Sequence, residues 1–157
     1  MRTGIGYDVH AFEAGRPLIL GGVRIEHDGG LGGHSDGDVL THAVIDALLG
    51  AAALGDIGQH FPAGDARWKD ANSLDLLRRA IQLVRAAGFR VINTDATVVA
   101  AVPKLAPHID AMRVALSEAL GVDRSAVSVK ATTTDGLGSL GRGEGIAALA
   151  IALLDST

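Results

Sequence analysis

Apolar and polar residues alternate at the start of the chain. Ile5, Tyr7, Val9 and Ala11 are interleaved with Gly4, Gly6, Asp8 and His10. This period of two predicts a strand over 2–12, with Asp8 and His10 on the same side of it. Leu18–Leu20 and Val23–Ile25 flank Gly21-Gly22, the signal of a tight hairpin. The Gly- and Asp-rich residues 26–33 read as a loop. The pattern then changes: over 38–53 almost every position is apolar, which predicts a buried helix capped by Asp36 or Asp38. The ionisable residues Asp38, His42 and Asp46 break the early part of that run, and their spacing of four puts them on one face. Buried polar groups cost free energy unless paired, so the stripe predicts partners, and for His42 the expected partner is a metal.

Residues 59–72 are polar and aperiodic and read as a long surface loop, functional or mobile. Asn72 or Ser73 caps a second helix whose apolar stripe is Leu74, Leu77, Ile81 and Val84, and Gly88 stops it. Residues 89–101 are β-branched and predict a strand, followed by a turn through Pro103 and Pro107. A third helix carries Ile109, Met112, Leu116 and Leu120 and ends at Gly121. Residues 126–132 predict a strand, 133–145 a Gly-rich loop and 146–154 a final strand. That last strand is apolar throughout, so both faces are expected to be buried, and its alanines suit close packing at a subunit interface. The sum is an α+β fold, a single domain over residues 1–157, with a mixed four- to five-stranded sheet and three helices on one face.

Composition narrows the chemistry. With no cysteine among 157 residues, disulfides and thiolate metal sites are excluded, which suits a cytoplasmic enzyme. No signal-like segment opens the sequence and no apolar run reaches membrane-spanning length. A net charge of -4 without a basic block argues against nucleic acid as a partner. A polyanionic ligand would therefore need local cations. The 21 glycines indicate many turns or close backbone approaches.

Asp8 and His10 on a strand with His42 on a helix form a nitrogen and oxygen donor set suited to zinc, with one tetrahedral position left open for Lewis-acid work. On spacing alone, His10 as a surface residue and His42 as a hydrogen-bonded core histidine is the alternative. His34-Ser35 precedes a helix start, where anions are favoured. Thr132-Thr133-Thr134-Asp135 offers hydroxyls and a carboxylate to phosphate and to a hard cation such as Mg2+ or Mn2+. Gly141-Arg142-Gly143-Glu144-Gly145 offers one guanidinium on a close-approaching backbone. Asp46 is placed to orient His42 or to accept from a polyol. No Ser–His–Asp or Cys–His arrangement is apparent.

In order and spacing, six of these segments together with Lys130-Ala131-Thr132-Thr133-Thr134 make a joint pattern. The others are Gly6-Tyr7-Asp8-Val9-His10, His34-Ser35-Asp36-Gly37-Asp38, Asp46-Ala47-Leu48-Leu49-Gly50, Gly55-Asp56-Ile57-Gly58, Pro103-Lys104 and Gly141-Arg142-Gly143-Glu144-Gly145. Over nearly the whole chain this resembles the 2-C-methyl-D-erythritol 2,4-cyclodiphosphate synthase family of non-mevalonate isoprenoid biosynthesis. The resemblance implies a homotrimer with sites between subunits. It implies zinc on Asp8, His10 and His42, and a cytidine diphosphate substrate whose own 2-phosphate closes a cyclic diphosphate and expels CMP. It places His34 and Ser35 on phosphate, and Asp46, Asp56 and Gly58 beside the methylerythritol moiety. Ala100, Pro103, Lys104, Leu105 and Ala106 would embrace cytosine, and Thr132 and Thr133 would hold the diphosphate. Arg142 would lie near the phosphates and, with Glu144, line the trimer axis. His34, Thr133 and Asp135 are the implied catalytic residues, with Asp135 holding a second cation, Mg2+ or Mn2+. The family often has Glu where Asp135 stands and an aromatic residue where Ser139 stands. Two other functions share these residues: a zinc phosphohydrolase, and a trimeric nucleotide-sensing module built on the Pro103-Lys104 turn.

Overall fold

The opening alternation becomes β1 (Arg2–Ala14), in a computed structural model that describes Met1–Thr157. Gly4, Gly6 and Asp8 face the first helix, α1 (Val39–Ala51), while Ile5, Tyr7 and Val9 are exposed on the other side. Helix and strand touch backbone to backbone. A Cβ on Gly6 would stand 1.9 Å from the carbonyl oxygen of Ala43, and one on Gly4 2.1 Å from that of Ala47. Only glycine allows this approach, and Ala43, Ala47 and Ala51 line the helix with small side chains at matching intervals. The contact positions the site, because two residues past Gly6 the Asp8 carboxylate already reaches His42.

β1 belongs to a five-stranded sheet of order β4-β1-β7-β5-β6, with β4 (Gly29–Leu31), β5 (Phe89–Val99), β6 (Val127–Thr132) and β7 (Gly145–Ser156). β7 runs antiparallel to both β1 and β5, and β5 runs parallel to β6, so the sheet is mixed as expected. β2 (Leu18–Leu20) and β3 (Val23–Ile25) form the predicted hairpin. α1, α3 (Ser73–Ala86) and α4 (Ile109–Leu120) build the core against the sheet with Leu40, Ile45, Leu48, Leu77, Met112, Leu116 and Leu120 fully or almost fully buried. Each such side chain contributes about 1.5–3 kcal/mol by leaving water.

Asp38 caps α1, and its partners explain one member of the polar stripe. Its carboxylate accepts from Thr41 N at 3.0 Å and Thr41 Oγ1 at 2.7 Å, and from the hairpin amides of Gly21 at 2.8 Å and Gly22 at 2.7 Å. Burial pushes its pKa up, and the donors from Thr41 and Gly22 work against that shift. Asp38 therefore fastens the hairpin to the helix.

Four expectations need correction. Residues 26–33 contain β4, which pairs with the end of β1 through Phe12↔Leu31, Glu13↔Gly30 and Ala14↔Gly29. Glycines carry no side-chain period, so nothing local announced it. Residues 59–72 are not plain loop: α2 (Ile57–His60) enters them and a 3₁₀ turn spans Ala66–Trp68. Elements of one turn are too short to show periodicity. A single helical turn, α5 (Gly138–Gly141), likewise lies within 133–145. Finally, β7 is not buried on both faces in the single chain, for Leu149 and Ile151 are 39% and 52% exposed beside Ile5 and Tyr7 of β1.

Candidate functional site

Asp8, His10 and His42 converge. One ligand atom from each lies within 4.8 Å of the others, and no second group of three such residues occurs in the chain. Asp8 Oδ2 stands 2.8 Å from His10 Nε2 and 2.9 Å from His42 Nδ1, while Asp8 Oδ1 accepts from Val9 N at 2.9 Å. His10 turns its Nδ1 to the Gly32 carbonyl. A carbonyl only accepts, so Nδ1 carries a proton, and Nε2, which faces Asp8, is the nitrogen left for a metal to take. β4 and the chain just after it thus orient a ligand on β1. Two imidazoles and one carboxylate on rigid elements fit a zinc ion with an open position.

The same convergence sets the electrostatics. Burial alone would raise the Asp8 pKa, but hydrogen bonds from His10 and His42 and their charges outweigh it and hold the carboxyl well below its usual range. The hydrogen bond to Asp8 raises His10 above its ordinary value, against a smaller opposing effect of burial. Without metal, the lowered Asp8 stabilises the fold above the unfolded carboxylate pKa and loses that contribution as pH falls through its folded value. The raised His10 stabilises below the unfolded histidine pKa and loses its contribution as pH rises through its folded value. Zinc requires the neutral ring. Its affinity is therefore expected to climb by up to about tenfold per pH unit until His10 has lost its proton, and then to level off. Calorimetric titration with Zn2+ in two buffers of different ionisation enthalpy checks this: a pH-independent affinity with no proton released would contradict it.

A cavity of about 240 Å³ opens over the triad, lined also by His34, Ser35 and Gly58. His34 Nε2 donates to the Asp65 carbonyl at 3.1 Å, which leaves Nδ1 for a ligand. The cavity wall holds Phe61 and Trp68, packed edge to face at 5.2 Å, neither of them singled out by the sequence. Trp68 Nε1 is buried without a hydrogen-bond partner. Asp46 makes no hydrogen bond to His42. Its Oδ1 accepts from Ile57 N at 2.7 Å, and burial followed by the neighbouring charge of Asp56 raises its pKa. Asp56 caps α2 and accepts from Gln59 N at 3.0 Å.

Ala100, Pro103, Lys104, Leu105, Ala106, Thr132 and Thr133 lie together around a second cavity of about 230 Å³, at the ends of β5 and β6. Thr133 Oγ1 donates to Asp135 Oδ1 at 3.1 Å, and Asp135 has a left-handed backbone, φ 52°. Arg142 Nε donates to Glu144 Oε1 at 2.7 Å, and neither residue lines either cavity. The two cavities share no residue. Asp8 pairs with Ala148, Ala148 with Val98 and Val98 with Ala131, which puts Ala131 about 14 Å from Asp8 across the sheet.

The sequence profile described as the YgbB family matches residues 1–155. The 2-C-methyl-D-erythritol 2,4-cyclodiphosphate synthase of Salinibacter ruber is 61% identical over 99% of this chain and 99% of its own. A bifunctional IspDF from Campylobacter jejuni superposes with a TM-score of 0.96 at 48% identity, over 99% of this chain and 42% of that longer one. A 2C-methyl-D-erythritol-2,4-cyclodiphosphate synthase solved in a CDP-bound form superposes at 0.89 with 39% identity, over 98% of this chain and all of its own.

Proposed function

This chain belongs to the YgbB family, the 2-C-methyl-D-erythritol 2,4-cyclodiphosphate synthases, and from that membership we propose how its two cavities divide the work. The reaction converts 4-diphosphocytidyl-2-C-methyl-D-erythritol 2-phosphate to 2-C-methyl-D-erythritol 2,4-cyclodiphosphate with release of CMP, in isoprenoid precursor biosynthesis. The substrate's 2-phosphate oxygen bonds to the β-phosphorus, the bond from that phosphorus to the CMP oxygen breaks, and CMP leaves with the electron pair. The nucleophile belongs to the substrate, so the chain needs none of its own. Holding the two phosphates together supplies about 7–11 kcal/mol of the barrier reduction. The convergence of Asp8, His10 and His42 beside a ligand-sized cavity is the observation that carries this reading.

Asp8, His10 and His42 would hold a zinc ion, whose Lewis acidity would polarise a phosphate oxygen when bound. Asp135 would hold Mg2+ or Mn2+ with substrate phosphates and water completing the shell, and that charge would favour departure of CMP. His34 and Ser35, on the wall of the triad cavity, bind phosphate oxygens. Gly58, Asp46 and Asp56 meet the polyol around Ile57. The second cavity takes cytosine on Ala100, Pro103, Lys104, Leu105 and Ala106, and the diphosphate on Thr132 and Thr133. Arg142 adds its charge to that of the metals, which answers how a chain of net charge -4 binds a polyanion.

Residues 1–157 act as one synthase domain. They assemble as a homotrimer in which the triad cavity of one subunit meets the cytosine cavity of its neighbour. The exposed apolar face of Ile5, Tyr7, Val9, Leu149 and Ile151 supports this, because such a face on an open sheet asks for cover. The cysteine-free sequence suits the cytoplasm, and no helix is long and apolar enough to cross a membrane. Incubation with substrate, Zn2+ and Mg2+ followed by phosphorus NMR tests the activity. Cyclic diphosphate and CMP are expected; hydrolysed monoesters would instead mark a phosphohydrolase.

A further inference from the structure

His42 has two faces, and only one looks at the metal. Nδ1 points to Asp8, while Nε2 lies 2.9 Å from Ser73 Oγ and 3.0 Å from Ser35 Oγ. Which ring nitrogen holds the proton decides whether His42 can ligate, since a metal needs the lone pair. A hydroxyl both donates and accepts, so a serine alone fixes neither tautomer. Ser73 is constrained further: its Oγ donates to Asp36 Oδ1 in a short hydrogen bond, and its backbone amide donates to Asp36 Oδ2 at 2.9 Å. A carboxylate only accepts. With its proton committed to Asp36, the Ser73 hydroxyl can offer His42 nothing but a lone pair, and Nε2 must be the donor. Ser73 is fully buried, so no solvent competes for this arrangement. Asp36 is itself tethered, its amide donating to the Ala71 carbonyl at 3.1 Å.

We propose that Asp36 and Ser73 are positioning residues for the metal: Asp36 directs the Ser73 hydroxyl, the hydroxyl keeps a proton on His42 Nε2, and Nδ1, which faces Asp8, is thereby the nitrogen whose lone pair a bound metal takes. The proposal rests on the reading that this triad holds a divalent metal. It gives a chemical task to the pinning of α3 against residues 34–38, which otherwise serves only the fold.

The test compares full-length native protein with Ser73→Ala and Asp8→Asn. Ser73→Ala removes one oxygen and leaves the Ser73 amide on Asp36 and the Asn72 cap of α3 in place. It also leaves Ser35 free to donate to Nε2, which would move the His42 proton to Nδ1. Zn2+ affinity measured by competition with a chromophoric chelator is expected to fall about 10- to 100-fold, and the visible spectrum of the Co2+ form to change. The melting midpoint of metal-free protein serves as the structural control. A lower midpoint with native zinc affinity would mean a purely structural serine and would overturn the proposal. In zinc-loaded native protein, nitrogen-15 shifts should show His42 bound through Nδ1 and protonated on Nε2; metal on Nε2 overturns the proposal without any variant. Native protein that binds Zn2+ no better than Asp8→Asn would overturn the metal reading, and this proposal with it.

Discussion

Replacing Asp8 with alanine is expected to abolish tight zinc binding and to slow cyclodiphosphate formation by about a thousandfold or more. Within the triad, Asp8 alone is hydrogen-bonded to both of the others, at 2.8 and 2.9 Å. Its loss leaves two imidazoles facing each other with no anion between them. A Lewis acid on a phosphate oxygen contributes several kcal/mol, and about 4 kcal/mol is a thousandfold in rate. The fold should survive, since Asp8 is half-buried and its only other hydrogen bond is to the adjacent Val9 amide. Nucleotide affinity should also survive, because the second cavity shares no residue with the first. Zinc content, CMP release and CDP affinity measured on one preparation check all three statements. A zinc-free variant that still turns over at a tenth of the native rate would remove the triad from the mechanism.

Mixing two inactive variants is expected to restore activity. In a site built between subunits, one chain contributes Asp8 and its neighbour Asp135. On that arrangement, assemblies of Asp8→Ala and of Asp135→Ala chains would each lack one half of every site. After subunit exchange at equal amounts, each half is native with even odds, so about a quarter of the sites regain both. The geometry behind this is the spread of the two cavities across the sheet, from β1 to the ends of β5 and β6. Sites contained within single chains would give no recovery at any ratio. Turnover of the mixture before and after exchange, with the oligomeric state followed by light scattering, decides between them.

Asp135, where the family resemblance led one to expect Glu, accepts from Thr133 Oγ1, and its own amide donates to that oxygen, both at 3.1 Å. Ser139 lies exposed in α5, away from both cavities.

Much of this protein was legible one residue at a time. The period of two placed Asp8 and His10 on one side of β1, and the apolar run of α1 declared its burial, because side-chain direction repeats regularly along a strand or helix. Asp38, Asn72 and Gly121 marked helix ends through chemistry local to the backbone. Tertiary packing decided the rest. Of the stripe Asp38, His42 and Asp46, one carboxylate went to the hairpin and the other to Ile57, and only the histidine met Asp8 and His10. Asp8 and His42 are 34 residues apart, and Asp36 and Ser73 are 37 apart. No local period encodes such distances. They are set where Gly4 and Gly6 let α1 lie directly on β1 and where the start of α3 is pinned to the loop before α1. Sequence alone determined which residues were able to ligate and which faces were buried; packing determined which of them meet and which way each ring points, since those depend on contacts between segments that local pattern leaves unspecified.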